Sequence, residues 1–198
     1  MPLRITTGVP IRSSRRAGVA AAAGFGLSPA AAPPMLPIPY VEQTQSQWCW
    51  AACAEMVARY LGNTAVKQCE LANILHERTN CCSAPGSSPC NRPTDFLGVI
   101  RVYRHLDINC IGHTWPVNAQ VVLRELTAGR PVEVGYLWAG GNGGHVAVIY
   151  GVTAGGLLAV HDPWPDFGSG FATYPYVLTA YGMGRWTYSY GDLRKLSP

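Results

Sequence analysis

The chain has 198 residues, 48% of them apolar and only 13% charged, enough to bury one sizeable core and consistent with a single domain. Its formal net charge of +4 arises at one end: Arg4, Arg12, Arg15 and Arg16 precede the first acidic residue, Glu42, and the remaining eleven basic residues match the eleven acidic ones. The body therefore carries no basic footprint for nucleic acid, and no apolar run approaches the length of a membrane-spanning helix.

Residues 1–38 differ in kind from the rest. A basic stretch, RSSRRAG, is followed by small apolar residues from Val19 to Leu27 and then by SPAAAPPMLP. That order matches the charged, apolar and small-residue regions of an export signal, with a short apolar region. Arg15-Arg16 hints at a twin-arginine signal, although Ala17-Gly18 lacks the bulky apolar residues that usually follow. The segment is expected to be a largely disordered leader, either an export signal or a propeptide, with the folded domain spanning 39–198.

The first predicted element is a helix from Cys49 to Leu61. Ala51, Ala52, Glu55, Met56, Ala58 and Leu61 favour helix, and no Gly or Pro intervenes before Gly62. Gln68 to Glu77 has Leu71, Ile74 and Leu75 at amphipathic spacing, a short second helix. CCSAPGSSPCN, at 81–91, reads as a loop rich in Ser, Pro and Gly. A third helix runs from Phe96 to His105 with Thr94 or Asp95 near its start. A fourth runs from Asn118 to Ala128, capped by Asn118 and ended by Gly129. From Pro131 the pattern turns to strands: Val132 to Trp138, Val146 to Val152, Leu157 to Val160, a segment near Thr173 to Leu178, and Arg185 to Tyr190. Helices first and strands second make an α+β fold.

Seven cysteines bear on the compartment. Setting Cys49 aside leaves Cys53, Cys69, Cys81, Cys82, Cys90 and Cys110, an even number that suits a disulfide framework. Adjacent Cys81 and Cys82 should take different partners, with Cys69 and Cys90 the nearest candidates; the sequence does not choose among the pairings. Zinc binding is disfavoured because no Cys-x-x-Cys spacing occurs, and reduced core cysteines are the other alternative. Disulfides would imply an oxidising compartment.

The segment QTQSQWCWAAC, at 43–53, sets Cys49 between two tryptophans in the first turn of a helix. The positive end of a helix dipole favours a thiolate placed there. A packed, inert cysteine is the simpler alternative. A nucleophilic thiolate needs a base, and the base needs an orienting group. Among His76, His105, His113, His145 and His161, only His145 has a suitable setting: GGNGGHVAVIYGV places it after a glycine-rich turn, at the start of an apolar strand. The next strand runs into His161-Asp162-Pro163-Trp164. Neighbouring strands would bring Asp162 to His145, where a carboxylate fixes the imidazole tautomer and Trp164 shields the pair from water. His161 is the rival base, but successive strand residues point to opposite faces, so His161 and Asp162 do not line one cleft together. Upstream, Gln43 offers an amide donor for a developing oxyanion, with Gln45 and Gln47 as competitors. The GGNGG run at 140–144 lacks the Lys-Ser/Thr ending of a phosphate loop and precedes a strand. It reads as a flexible rim, with Asn142 a turn residue before it is a catalytic one.

A Gln shortly before Trp-Cys-Trp-Ala-Ala, then Gly-His opening an apolar strand, then Asp-Pro-Trp, resembles the AvrRpt-type papain-like cysteine proteases of bacteria. The resemblance runs from about Pro39 to the C-terminus. It implies a papain-like fold in which the nucleophile helix packs on a C-terminal antiparallel sheet. It also implies Cys49 as nucleophile, His145 as general base and acid, Asp162 as orienting carboxylate, and Gln43, six positions before the cysteine, as oxyanion donor beside the Cys49 backbone N–H. The implied activity is peptide-bond hydrolysis through an acyl-enzyme, with no cofactor or metal. The partner would be a protein or peptide substrate, with neither nucleic acid nor membrane, and the chain a monomer. A secreted or periplasmic location, or translocation as an effector, follows from the leader and the cysteines. Three alternatives use other features: an amidase or transpeptidase on cell-wall peptides, a disulfide-stabilised secreted binding module, and a bacteriocin-processing peptidase, which usually sits on a transporter.

Overall fold

Burial organises the molecule around one helix. In the computed structural model, which describes residues 34–141 and 143–196, α1 spans Cys49–Tyr60 and every residue from Trp50 to Ala58 is buried. A helix buried on all sides needs small residues where neighbours approach, and Ala51, Ala52, Ala54 and Ala58 supply them. On one side lie α2 (Gln68–His76) and α3 (Phe96–His105); on the other lies the sheet, with β3 the strand that α1 packs against.

The sheet has six strands, all paired antiparallel in the order β1-β6-β2-β3-β4-β5. Their ranges are β1 Ile108–His113, β2 Val132–Trp138, β3 Gly144–Val152, β4 Leu158–Asp162, β5 Gly168–Ala172 and β6 Gly184–Lys195. Helix α4 (Ala119–Thr127) precedes β2, and α5 (Tyr174–Leu178) with a 3₁₀ turn at Ala180–Gly182 links β5 to β6. This is the α+β arrangement that the order of helices and strands predicts. Strands β2, β3 and β4 are buried nearly throughout, which is why they read as continuous apolar runs.

Three expectations need correction. The segment near Thr173 to Leu178 is helical, not extended: the Thr173 side chain caps α5 by accepting from the Tyr176 N–H, and Pro175 occupies the first turn, where its missing donor costs nothing. The strand lies just before it, at β5. Strand β1 was not foreseen, because Asn109, Cys110 and Gly112 interrupt any β pattern; it forms as an edge strand on the long β6. Finally, the leader placed at 1–38 extends too far. Residues up to 33 lie outside the described residues, but Leu36 and Ile38 are buried, and the Leu36 N–H donates to Tyr150 O while Val152 N–H donates to Pro34 O, both at 2.9 Å. This segment is bound to β3.

The cysteine framework is also smaller than expected. Cys69 pairs with Cys82 and Cys81 with Cys90, so the adjacent cysteines do take different partners. Cys53 and Cys110 are free thiols rather than a third pair. Cys53 lies inside α1 and directs its thiol to the Val146 carbonyl, while Cys110 is fixed in β1 by pairing with β6. Cys81, Cys82 and Cys90 lie in the loop after α2, where no ladder sets the backbone, and Cys69 lies in α2 itself.

Helix starts follow their capping residues. Asp95, not Thr94, caps α3, its Oδ1 accepting from the Gly98 N–H at 2.7 Å, and Asn118 caps α4 through the Val121 N–H at 2.9 Å. Replacing Asp95 by Ala should therefore lower the unfolding free energy by about 1 kcal/mol. Urea denaturation reads this as an earlier midpoint at unchanged slope; a midpoint equal to wild type would show that the cap contributes nothing.

Candidate active site

Cys49 is the first residue of α1, and its N–H has no acceptor within the helix. Trp48 occupies the cap position without a side-chain cap bond, and no acidic residue lies in the first turn, so nothing neutralises the positive helix end at the half-buried thiol. The flanking tryptophans are buried anchors: Trp48 Nε1 donates to Cys90 O at 2.8 Å and Trp50 Nε1 to Arg92 O at 3.2 Å. They fix the helix start on both sides of the thiol.

His145 sits at the beginning of β3, facing the helix. Gly144 before it must be glycine, because a Cβ there would lie 2.2 Å from the Tyr136 carbonyl oxygen of β2. The register Val148↔His161 brings Asp162 to a diagonal position from His145 on the same face of the sheet. There the two side chains, 5% and 1% exposed, meet with Nε2 of His145 at 2.6 Å from Asp162 Oδ1. Oδ1 also accepts from the Trp164 N–H at 3.0 Å. With Nε2 engaged, Nδ1 is the nitrogen left for the Cys49 thiol, which lies within hydrogen-bonding reach.

Burial alone would lower the His145 pKa; the charge and hydrogen bond of Asp162, with the Cys49 interaction, outweigh it and raise it to about 10. Two tryptophan rings border the imidazole: Trp138 stacks on it at 5.8 Å and 15°, within the range of a cation–π contact, and Trp164 lies nearly perpendicular to it at 6.1 Å. Sequence reasoning gave the tryptophans and tyrosines no site role beyond the shielding by Trp164; Trp138, at the end of β2, was missed because only strand pairing brings it over His145.

Gln43 is buried, and its loop is held on both sides. Its N–H donates to Pro163 O at 2.9 Å, next to Asp162, and its Nε2 donates to Gln45 O at 2.9 Å, leaving a second amide hydrogen. Gln68 of α2 grips the flanking residues, accepting from the Thr44 N–H and donating to Glu42 O, both at 2.9 Å. Of the competing amides, Gln45 contributes its backbone carbonyl to this arrangement and Gln47 is exposed. His161 is turned to the other face, its Nε2 at 2.9 Å from Ile38 O and its ring stacked on Tyr150 at 3.9 Å. Of the remaining histidines, His76 meets the ring of Trp50 and His113 that of Trp115. Asn142 lies outside the described residues. Among those that are described, no group of three or more His, Cys, Asp or Glu is arranged to hold a metal.

Under the site lies a second buried acid that the sequence reading did not single out. Glu133 of β2 is fully buried and accepts from the Tyr103 hydroxyl of α3. Burial pushes its pKa up to about 8, against the lowering effects of Tyr103 and His145. Burial, then the Glu133 charge, also push the thiols of Cys53 and Cys110 upward.

A cysteine at a buried helix start, facing an imidazole on an antiparallel sheet, defines the class of papain-like cysteine peptidases. Within that class the chain belongs to the family of the papain-like cysteine protease AvrRpt2, which matches residues 35–175. The fold is similar to the peptidase domain of Streptococcus ComA, a bifunctional ABC transporter involved in quorum sensing, with a TM-score of 0.56 and 15% identity over 79% of this chain and 97% of that one. A C39-like peptidase of Bacillus anthracis is similar too, with a TM-score of 0.55 and 15% identity over 81% of this chain and 98% of that one. No curated protein sequence matches the chain significantly. The chain is thus a papain-like cysteine protease, and its substrates are peptides or proteins.

The electrostatics set a measurable order. By NMR titration the His145 imidazole should hold its proton well above the ordinary value of about 6.5. In Asp162→Asn the raising charge is lost while burial remains, so the imidazolium should deprotonate at lower pH. An unshifted His145 titration in that variant would show that Asp162 does not govern the imidazole.

Proposed function

We propose that the chain is an endopeptidase that works through a Cys49-His145-Asp162 triad and a covalent acyl-enzyme. The observation that carries this reading is the His145 imidazole, bound to Asp162 through one nitrogen and left facing Cys49 with the other. The raised pKa keeps the imidazole protonated at neutral pH, which places an imidazolium beside the Cys49 sulfur.

The thiolate attacks the scissile carbonyl, and the oxyanion forms beside the free N–H of Cys49 and the remaining amide hydrogen of Gln43. The imidazolium at His145 gives its proton to the leaving amine, which departs as the carbon–nitrogen bond breaks. His145, now neutral, takes a proton from water as it attacks the thioester, and Cys49 is released as thiolate. Asp162 keeps the ring in one orientation throughout, and Trp138 and Trp164 limit water around the pair. The two disulfides fit action in an oxidising compartment, outside the cell or in a periplasm.

Cys49→Ala should abolish cleavage of a protein substrate, and Gln43→Ala should lower kcat by about 10²- to 10³-fold. In the native, non-reduced protein, iodoacetamide should label Cys49 and leave Cys53 and Cys110 unmodified, because burial disfavours both of their thiolates. Turnover that survives in Cys49→Ala would overturn the reading.

A further inference from the structure

The turn that presents Cys49 is gripped by three consecutive residues of one loop. Cys90 accepts from Trp48 Nε1 at 2.8 Å, and Arg92 accepts from Trp50 Nε1 at 3.2 Å, both through their backbone carbonyls. Asn91, between them, uses both ends of its amide: Oδ1 accepts from the Gln47 N–H at 3.0 Å and Nδ2 donates to Ser46 Oγ at 3.0 Å. Four hydrogen bonds thus hold residues 46–50 from one side, and Cys49 lies among their donors.

That loop has no helix or strand to fix it. Its position comes from covalent closure: Cys81 bonds Cys90, and Cys82 bonds Cys69 of α2. The Cys81 N–H donates to Asn73 Oδ1 of the same helix at 2.8 Å. Cys90 is therefore both a bridge sulfur and the carbonyl that anchors Trp48. We propose that this disulfide-closed loop is the positioning element of the nucleophile, that Asn91 is its positioning residue, and that activity requires the Cys81–Cys90 bridge to be intact. The inference rests on Cys49 being the nucleophile.

The consequence is a pair of opposed redox requirements in one site. Cys49 must be a free thiol, whereas Cys81 and Cys90 must be joined. Reduction by a dithiol moves two electrons into the bridge: one thiolate of the reagent attacks a bridge sulfur, the mixed disulfide is resolved by the second, and Cys81 and Cys90 leave as thiols while the reagent becomes a cyclic disulfide. Both residues of the Cys81–Cys90 bridge are fully buried, whereas Cys49 is partly exposed, so a mild monothiol reaches Cys49 more readily than that bridge.

The test uses the full chain with fluorescein-labelled casein for turnover and iodoacetamide for Cys49, whose alkylation needs no substrate. Asn91→Ala should lower kcat about ten- to a hundredfold with KM changed by no more than about twofold, and slow Cys49 alkylation by a factor similar to kcat, at a nearly unchanged thermal midpoint. Asn91→Asp should restore most of both, since one carboxylate oxygen still accepts from Gln47 and the Ser46 hydroxyl can donate to the other. Titration with a dithiol should make activity fall in step with the intact fraction of Cys81–Cys90, and a folded Cys81→Ser/Cys90→Ser variant should match the reduced enzyme. If that variant does not melt cooperatively, Asn91→Ala and the titration decide. Unchanged kcat and alkylation in Asn91→Ala, or full activity after the bridge is opened, overturn the inference. Failure of the nucleophile reading is separate, because it appears as turnover in Cys49→Ala.

Discussion

The contact on which the site depends is the buried hydrogen bond between His145 and Asp162. Removing both groups from water is costly, and the pair forms only if its geometry does not drift. The fold holds that geometry with backbone. Strands β3 and β4 fix the two side chains in diagonal register, and the Trp164 N–H gives Asp162 a second donor. Trp138 lies over the imidazole face. The start of α1 places the Cys49 thiol against the imidazole held in this way.

The other half of the site is irregular chain, and it is stabilised differently. Residues 42–48, which lead into α1, have no ladder partner, so side chains and loop carbonyls hold them from three directions: Gln68 from α2, Pro163 just after β4, and residues 90–91 from the disulfide loop. The Pro163 contact is notable in its consequence, because it ties the Gln43 loop to the residue after Asp162. A displacement of β4 would move Asp162 and Gln43 together. Small core residues in α1 allow this closeness, and Cys53, one turn after Cys49, meets the Val146 carbonyl, one residue after His145.

Glu133 shows what the site avoids. An ionised carboxylate beneath the sheet would compete with Asp162 for the imidazolium. Burial raises the Glu133 pKa to about 8, which favours its neutral form beside the site. The Tyr103 hydroxyl ties it to α3, linking the far side of the helical layer to the strand that carries Trp138.

Much of this was legible in the chain itself, for identifiable reasons. Helix α1 and strands β2 to β4 are long, strongly patterned segments, and their burial needs no knowledge of partners. Asn118 as a cap and the alternation that turns His161 away from Asp162 follow from local stereochemistry. The roles proposed for Cys49, His145, Asp162 and Gln43 rest on order and spacing, together with a family resemblance. What the sequence could not supply was whatever depends on which elements become neighbours. Strand β1 exists only because β6 offers it an edge, and Thr173 begins a helix because its hydroxyl caps one where hydropathy suggested a strand. Cys53 in α1 and Cys110 in β1 stay unpaired, a matter of placement in space that a count of cysteines does not contain. Glu133, Trp138 and Asn91 gain their importance from contacts across 12, 7 and 44 residues of chain, to His145 and Gln47. The sequence by itself determined the chemistry available and the local structure that displays it. Only the tertiary structure decided which groups meet, because hydrogen bonds and charges act over a few ångströms of space and take no account of distance along the chain.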